Sequence, residues 1–391
     1  MLKEKIRNRA GDGIYFVEQN RDVHCVLEYT LTEDIDKAAL SRALKECVEL
    51  FPALKYGMEW NDGVYLVKKD NEPWVTESED TIKPYSGRIG GYGCSVTFCR
   101  NRLSVILAHT ITDGRGMFEF SENLIYRYFC ISHGRQYEWE GVKREVSPNE
   151  FADFWEIIDN TDIESVGDSI YEKDGIVIPE NNEDGDSRLN YADISIPSKE
   201  FMEYVRGMEA SPAAVAVRYM MLAAAKKNNY SSGSLSCNVT VDARKAFGME
   251  GTFMNCSLGA AASMDIEKLY SPKECLGKLK KEIRSQAQKE ELVAFAQRSI
   301  KKRAYMSCSI SFMLSYFGTS GIGEADRYIE RFVFYEETSP KINMYEIKDE
   351  FHLNLFFGSG TKDYAGELLE ILKKDGFNCR VEYREFKKEI D

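Results

Sequence analysis

Apolar and polar positions alternate along 13–31, where Tyr15, Phe16 and Val17 are followed by Val23, Cys25, Leu27, Tyr29 and Leu31. A period of two predicts strand. The period then lengthens: with Asp34 placed to cap them, Ile35, Ala38, Ala39, Leu40, Ala43, Leu44, Cys47, Val48 and Phe51 recur every three or four residues until Pro52, which predicts a helix and its stop. Two short strands, 53–60 and 63–68, flank a turn whose Asp62-Gly63 pair supplies the positive backbone angle of a hairpin. A second hairpin alternates through 94–99 and 103–108 around Arg100-Asn101-Arg102, so His109 falls at the end of its second strand. Met117, Phe118, Phe120, Leu124, Ile125, Tyr128 and Phe129 then make one face of an amphipathic helix.

From about 159 to 186 the chain is acidic and without period. This stretch predicts a linker or crossover at 161–188 between an N-terminal domain, 1–160, and a C-terminal domain, 189–391. Beyond it the order of elements partly repeats. Strand is expected at 189–196, helix at 199–208, an alanine-rich helix at 212–227 and strand at 234–242. A helix at 272–296, apolar runs at 307–316 and 331–336, strands at 342–347 and 350–358, a helix at 362–375 and a strand at 378–383 complete the reading. Strands and helices without steady alternation predict α+β layers. No glycine-rich loop follows a strand, which disfavours a doubly wound nucleotide fold.

With 391 residues, two domains are the expectation. The hydrophobic fraction, 43%, suffices for two cores. The balance of 51 basic against 64 acidic residues, net -13, speaks against nucleic acid or an anionic membrane surface as partners. No run approaches the roughly 20 apolar residues of a membrane span, and the start lacks the apolar core of a signal peptide. A cytoplasmic location is the expectation. Ten cysteines stand in apolar segments without any Cys-x-x-Cys pair, predicting reduced core thiols. His24, His109, His133 and His352 form no ligand-like cluster in sequence, so no metal is expected. Arg115 reads as a solvated arginine, the lysines of 278–289 as a solvated helix face, and Cys94, Cys99 and Cys256 as packing. Ser121 and Ser257 lack the context of a nucleophile elbow.

An imidazole at a strand end, held by a tight turn, can take a proton near neutral pH and return it. For a lone histidine the commoner role is to satisfy the turn. His109, however, opens the run His109-Thr110-Ile111-Thr112-Asp113-Gly114, which resembles the signature of the chloramphenicol acetyltransferase-like superfamily. That superfamily includes alcohol acetyltransferases, plant-type BAHD acyltransferases and the condensation domains of peptide synthetases.

The resemblance implies that His109 is the general base toward an acceptor hydroxyl or amine, which attacks an acyl thioester. Asp113 turns away to pair with an arginine, and Gly114 keeps the channel open. Val239-Thr240-Val241-Asp242-Ala243-Arg244 followed by Asn255 is similar to the family segment that carries this arginine, which makes Arg244 the expected partner. Ser315-Tyr316-Phe317-Gly318 stands where alcohol acetyltransferases often carry Ser-Asn-x-Gly, and with Tyr316 in place of asparagine, Ser315, Tyr316, Thr319 and Ser320 are the candidate oxyanion donors. The doubled histidine of condensation domains is absent, since Ala108 precedes His109, and so is the BAHD Asp-Phe-Gly-Trp-Gly segment. The implied fold is a V-shaped α+β monomer of two such domains, each a mixed sheet covered by helices, with the active-site channel between them. The implied activity is acyl transfer, acetyl or another acyl group, from acyl-coenzyme A as co-substrate, with no permanently bound cofactor, to an alcohol or amine. A condensation-type enzyme fed by an acyl carrier protein and a catalytically silent binding module are the alternatives.

Overall fold

A computed structural model describes residues 5–11, 24–61, 63–70, 73–79, 91–159, 176, 188–302, 311–336, 341–358 and 364–387. Most of the expected linker at 161–188, and the strand expected over 13–23, lie outside them.

In chain order the strands are β1 (Lys5–Arg7), β2 (His24–Leu31), β3 (Tyr56–Trp60), β4 (Val64–Lys68), β5 (Val75–Glu77), β6 (Cys94–Cys99), β7 (Arg102–Ala108), β8 (Arg188–Pro197), β9 (Ser234–Asp242), β10 (Ser257–Asp265), β11 (Phe312–Thr319), β12 (Ile329–Glu336), β13 (Lys341–Ile347), β14 (Glu350–Gly358) and β15 (Arg380–Lys387). The longer helices are α1 (Lys37–Leu50), α2 (Gly114–Ser132), α3 (Ser198–Gly207), α4 (Pro212–Asn228), α5 (Pro272–Gln286), α6 (Lys289–Lys302) and α7 (Tyr364–Lys374). They build an α+β fold with a five-stranded sheet ordered β12-β2-β7-β6-β5, a seven-stranded mixed sheet ordered β10-β9-β11-β13-β14-β8-β15, and a small β1-β4-β3 sheet.

In the first half the apolar stripe of α1, from Ala39 to Val48, is buried, and the helix packs against α2. Its cap is Asp36 rather than Asp34: the Ile35 N–H is taken by the Arg100 carbonyl, which keeps the chain extended there, and the Asp36 carboxylate accepts from Ala38 and Ala39. Residues 53–55, expected as strand, form a 3-10 turn with Pro52 at its start, closed by the Leu54 N–H on the Phe51 carbonyl.

In the second half α4 is buried along almost its whole length, with its alanines close to the seven-stranded sheet. The helix expected at 272–296 is two helices. The break at Ala287-Gln288 lets α5 bury Cys275, Leu276 and Leu279 in the main core while α6 turns Leu292, Val293 and Phe295 into a separate cluster with Ala243, Phe247 and Leu258. Strand β10 has no counterpart in the sequence expectation. Its Leu-Gly-Ala-Ala-Ala-Ser stretch lacks the β-branched residues that signal a strand, and small residues are needed because a Cβ on Gly259 would overlap the Asn238 amide.

The two halves are not separated sheet by sheet. Strand β12 belongs to the C-terminal part of the chain, yet it pairs antiparallel with β2, from Ile329 against Leu31 to Glu336 against Cys25. This closes an edge of the first sheet that would otherwise present unpaired backbone groups. Beside it, Phe118 of α2 stacks on Phe317 of β11 with centroids 4.9 Å apart and meets Phe332 and Phe334 of β12 edge-on or tilted. No described helix is long and apolar enough to cross a membrane.

Because Phe118 is buried among side chains of both sheets, Phe118→Ala should cost about 3–5 kcal/mol. Urea unfolding followed by tryptophan fluorescence and by far-ultraviolet dichroism measures it, with both probes shifting together.

Candidate active site

Strand β7 ends at Ala108, and the chain turns at once, the Ile111 N–H donating to the Ala108 carbonyl at 3.0 Å. Thr110, Ile111 and Thr112 are fully buried while His109 is half-buried. The turn folds the Thr112 carbonyl back to 3.0 Å from His109 Nδ1. The Thr112 carbonyl can only accept, whereas the Asn255 Nδ2 amide, 3.3 Å from the same nitrogen, can only donate; the shorter contact favours the proton on Nδ1, which leaves Nε2 with its lone pair. Asn255 also holds the backbone of the turn. Its Oδ1 accepts from the Ser257 N–H and hydroxyl, which orients its Nδ2 to donate to the His109 carbonyl at 3.2 Å.

Asp113 begins α2, and its Oδ1 caps the helix by accepting from the Gly116 N–H at 3.1 Å. The carboxylate points away from the imidazole, into a site built by the second half. Arg244 grips it with two parallel bonds, Nη1 to Oδ2 and Nη2 to Oδ1, both 2.9 Å, and the Cys256 N–H adds a third at 2.7 Å. The remaining guanidinium protons go to Asp242 Oδ1 at 2.9 Å and to the Thr252 and Met254 carbonyls at 3.0 Å. All five N–H donors of this buried arginine are thus matched. Burial by itself would raise the Asp113 carboxyl; the Arg244 charge and hydrogen bonds, with the Cys256 and Gly116 amides, outweigh it and hold Asp113 below the ordinary range. Burial likewise opposes the charge on Arg244, and Asp113 more than offsets it, so the guanidinium stays protonated.

Gly114 allows α2 and β11 to approach closely, since a Cβ there would run into the Phe317 ring. It also borders a cavity of about 400 Å³ whose wall includes Arg115, Thr240, Ser257, Ser315 and Tyr316. His109 is not on that wall. Among the four candidate oxyanion donors, Ser315 and Tyr316 line the cavity, and the Ser315 hydroxyl lies 3.1 Å from that of Thr240. Thr319 donates to Glu346 at 2.9 Å, and Ser320 donates to Glu122 of α2 at 2.7 Å. Glu122 also accepts from the Gly321 N–H at 3.1 Å, so it clasps the loop that follows β11. Burial pushes its carboxyl up to about 7 against the lowering effect of Ser320, Gly321 and Arg115.

Sequence reading brought His109, Asp113, Gly114 and Arg244 to notice. It assigned no role to the Thr112 carbonyl, Asp242 or Glu122, and Asn255 only marked a resemblance. A backbone carbonyl carries no residue-type signal, and an acid on a helix is ordinarily solvated.

No protein-family model and no curated protein matches the sequence. Solved structures do. The crystal structure of F. sporotrichioides TRI101 complexed with coenzyme A and T-2 is 12% identical, with TM-score 0.64 over 98% of this chain and all of the other. Polyketide synthase associated protein 5 from Mycobacterium tuberculosis is 12% identical, TM-score 0.66, over 95% and 98% of the two chains. The epimerization domain of the third module of tyrocidine synthetase B is 12% identical, TM-score 0.64, over 92% of each. The chain has the chloramphenicol acetyltransferase-like fold. Within that fold, the run from His109 to Gly114 joins β7 of the five-stranded sheet to α2, and its Asp113 carboxylate is tied to the second half by Arg244.

Two stability measurements check the electrostatics. Asp113→Ala should cost about 3–5 kcal/mol, because it strands a buried guanidinium. Asp113 has a depressed folded value, so its contribution is complete above the unfolded value of about 3.9 and is lost as pH falls through the folded one; the gap between wild type and Asp113→Ala in urea should close only in strong acid. Glu122 behaves oppositely. The folded protein keeps its proton to about pH 7, the unfolded chain only to about 4.3, so stability should fall as pH rises across that window, and Glu122→Gln should flatten the slope.

Proposed function

We propose that the protein is an acyltransferase, moving an acyl group from a coenzyme A thioester to an alcohol or amine with His109 as general base. The observation that carries this reading is the 3.0 Å contact between His109 Nδ1 and the Thr112 carbonyl, shorter than the 3.3 Å from the same nitrogen to the Asn255 amide, which favours Nε2 as the proton acceptor. The Asp113–Arg244 fork supports it by fixing the loop without spending the carboxylate on the imidazole. In this reaction Nε2 takes the acceptor proton as oxygen or nitrogen attacks the thioester carbonyl. The tetrahedral oxyanion then collapses, and the imidazolium returns the proton to the leaving thiolate. Ser315 and Tyr316 are the candidate donors for the oxyanion that line the cavity beside Gly114, whereas the Thr319 and Ser320 hydroxyls are bonded to the carboxylates of Glu346 and Glu122. The acyl donor is a substrate here, and the scheme needs no resident cofactor.

A second reading keeps the chemistry and changes the donor to an acyl carrier protein. Its support is the structural likeness to the tyrocidine synthetase epimerization domain and to the nonribosomal peptide synthetase FmoA3. A silent binding module is disfavoured by the intact hydrogen-bond set around His109.

Purified protein incubated with acyl-coenzymes A and a panel of alcohols and amines should release free thiol. His109→Ala should lower that rate by about 10²–10⁴-fold. Equal release by both proteins would remove His109 from the mechanism, and release from acyl carrier protein but not from acyl-coenzyme A would select the second reading. Removal of the oxyanion donor, by Ser315→Ala or Tyr316→Phe, should reduce kcat by about 10²–10³-fold with little change in KM.

A further inference from the structure

A larger cavity, of about 670 Å³, lies between β12 and the polar face of the seven-stranded sheet, and His352 is on its wall. It is remote from the acyl-transfer motif. Thr30, which lines it, is six residues along β2 from His24, and His24 pairs with Ala108 next to His109. At strand rise that is about 20 Å.

The imidazole of His352 is held by two neighbours, Asp193 and Tyr345. Its Nδ1 lies 3.1 Å from both oxygens of Asp193, a buried carboxylate held in turn by Asn354 Nδ2 at 2.7 Å. Its ring stacks flat on buried Tyr345, with centroids 5.1 Å apart and planes 8° from parallel. A carboxylate accepts, so Nδ1 bears the proton, and Nε2 is left as an acceptor for which no described residue supplies a donor.

Each cationic side chain of the cavity has a near neighbour. Arg380 bonds Glu350 and the Ser195 hydroxyl, Arg331 forms an ion pair with Glu382 at 2.7 Å, and Lys348 donates to the Ile329 carbonyl. Glu330 lines the same cavity, is exposed, and has no hydrogen bond or ion pair with a described residue. The cavity therefore offers two unspent acceptors, one of them charged, and its carboxylates, Asp193, Glu330, Glu350 and Glu382, outnumber its cations, Arg331, Lys348 and Arg380. The same wall carries the apolar side chains of Ile329, Phe332, Ile347 and Val381.

We propose that this cavity is a second ligand site, which binds a small aliphatic amine as its ammonium ion. The ammonium donates to His352 Nε2 and is neutralised by Glu330, while the alkyl chain lies on the apolar strip. The assignment does not rest on the acyl-transfer reading of His109.

Calorimetric titration of the full-length protein at about pH 8, where an ordinary imidazole is neutral, tests it with 1,5-diaminopentane and, as an uncharged probe of the same length, 1,5-pentanediol. The expected result is saturable one-to-one binding of the diamine, none of the diol, and affinity reduced at least about tenfold in Glu330→Gln and in His352→Phe. Since His352→Phe leaves Asp193 without its imidazole partner and can unfold the chain, ¹⁵N spectra of the unmodified protein provide the second readout, with the His352 Nε2 resonance moving in step with the binding heat. Absence of saturable diamine binding, equal binding of the diol, undiminished affinity in Glu330→Gln, or a stationary Nε2 resonance would each overturn the proposal.

Discussion

The fork between Asp113 and Arg244 is the constraint on which the site depends. It joins residues 131 positions apart in sequence, and both are buried, so each charge would be intolerable without the other. The pair does not act alone. Asp113 caps α2 and accepts from the Cys256 amide, while Arg244 gathers Asp242 and two backbone carbonyls. One guanidinium thereby sets the start of α2, the end of β9 and the segment leading into β10. His109 precedes Asp113 by one turn, and its carbonyl is bonded by Asn255, which belongs to that same segment. Fixing the carboxylate fixes the imidazole's surroundings, though the two side chains do not touch.

The aromatic contacts and the β12 pairing do in the core what the fork does at the site. Phe118 lies four residues past Gly114 on α2 and stacks on Phe317, the same ring that requires a glycine at 114. A displacement of β11 would therefore alter the cavity wall at Ser315 and Tyr316 and the entry to α2 together. Glu122 adds a polar clasp one helical turn further along, where Ser320 and Gly321 donate to its carboxylate. Motif, helix and β11 form one mechanical unit.

Much of this was legible from residue order. The helix at α1 and the strands β6, β7, β9 and β14 follow from periodicity, although β6 and β7 are buried on both faces, so that in β6 it is small polar Ser95 and Thr97 that mark the second face. The position of His109 at a strand end follows from the hairpin before it, and the Asp113–Arg244 partnership was reached through resemblance to a family segment. Strand β10 was not legible, since its alanines carry no strand preference and its Gly259 is required by the neighbouring Asn238 and Phe295. The break between α5 and α6 is set by which core each face meets. The attachment of β12 to β2 is a long-range pairing without local signature. The commitments of Thr319 and Ser320 are equally non-local, their acceptors being Glu346 and Glu122.

The likeness to solved structures establishes architecture, at 12% identity in those named above, and the chemistry must stand on the imidazole. Its decisive property is the tautomer. The ¹⁵N chemical shifts of the His109 ring in the unmodified protein measure it directly, above the pH at which the ring is charged. A protonated Nδ1 and a bare Nε2 are what the account predicts, the Thr112 carbonyl being nearer to Nδ1 than the Asn255 amide. A proton resident on Nε2 would contradict the account, because the nitrogen assigned as base would have no lone pair with which to act.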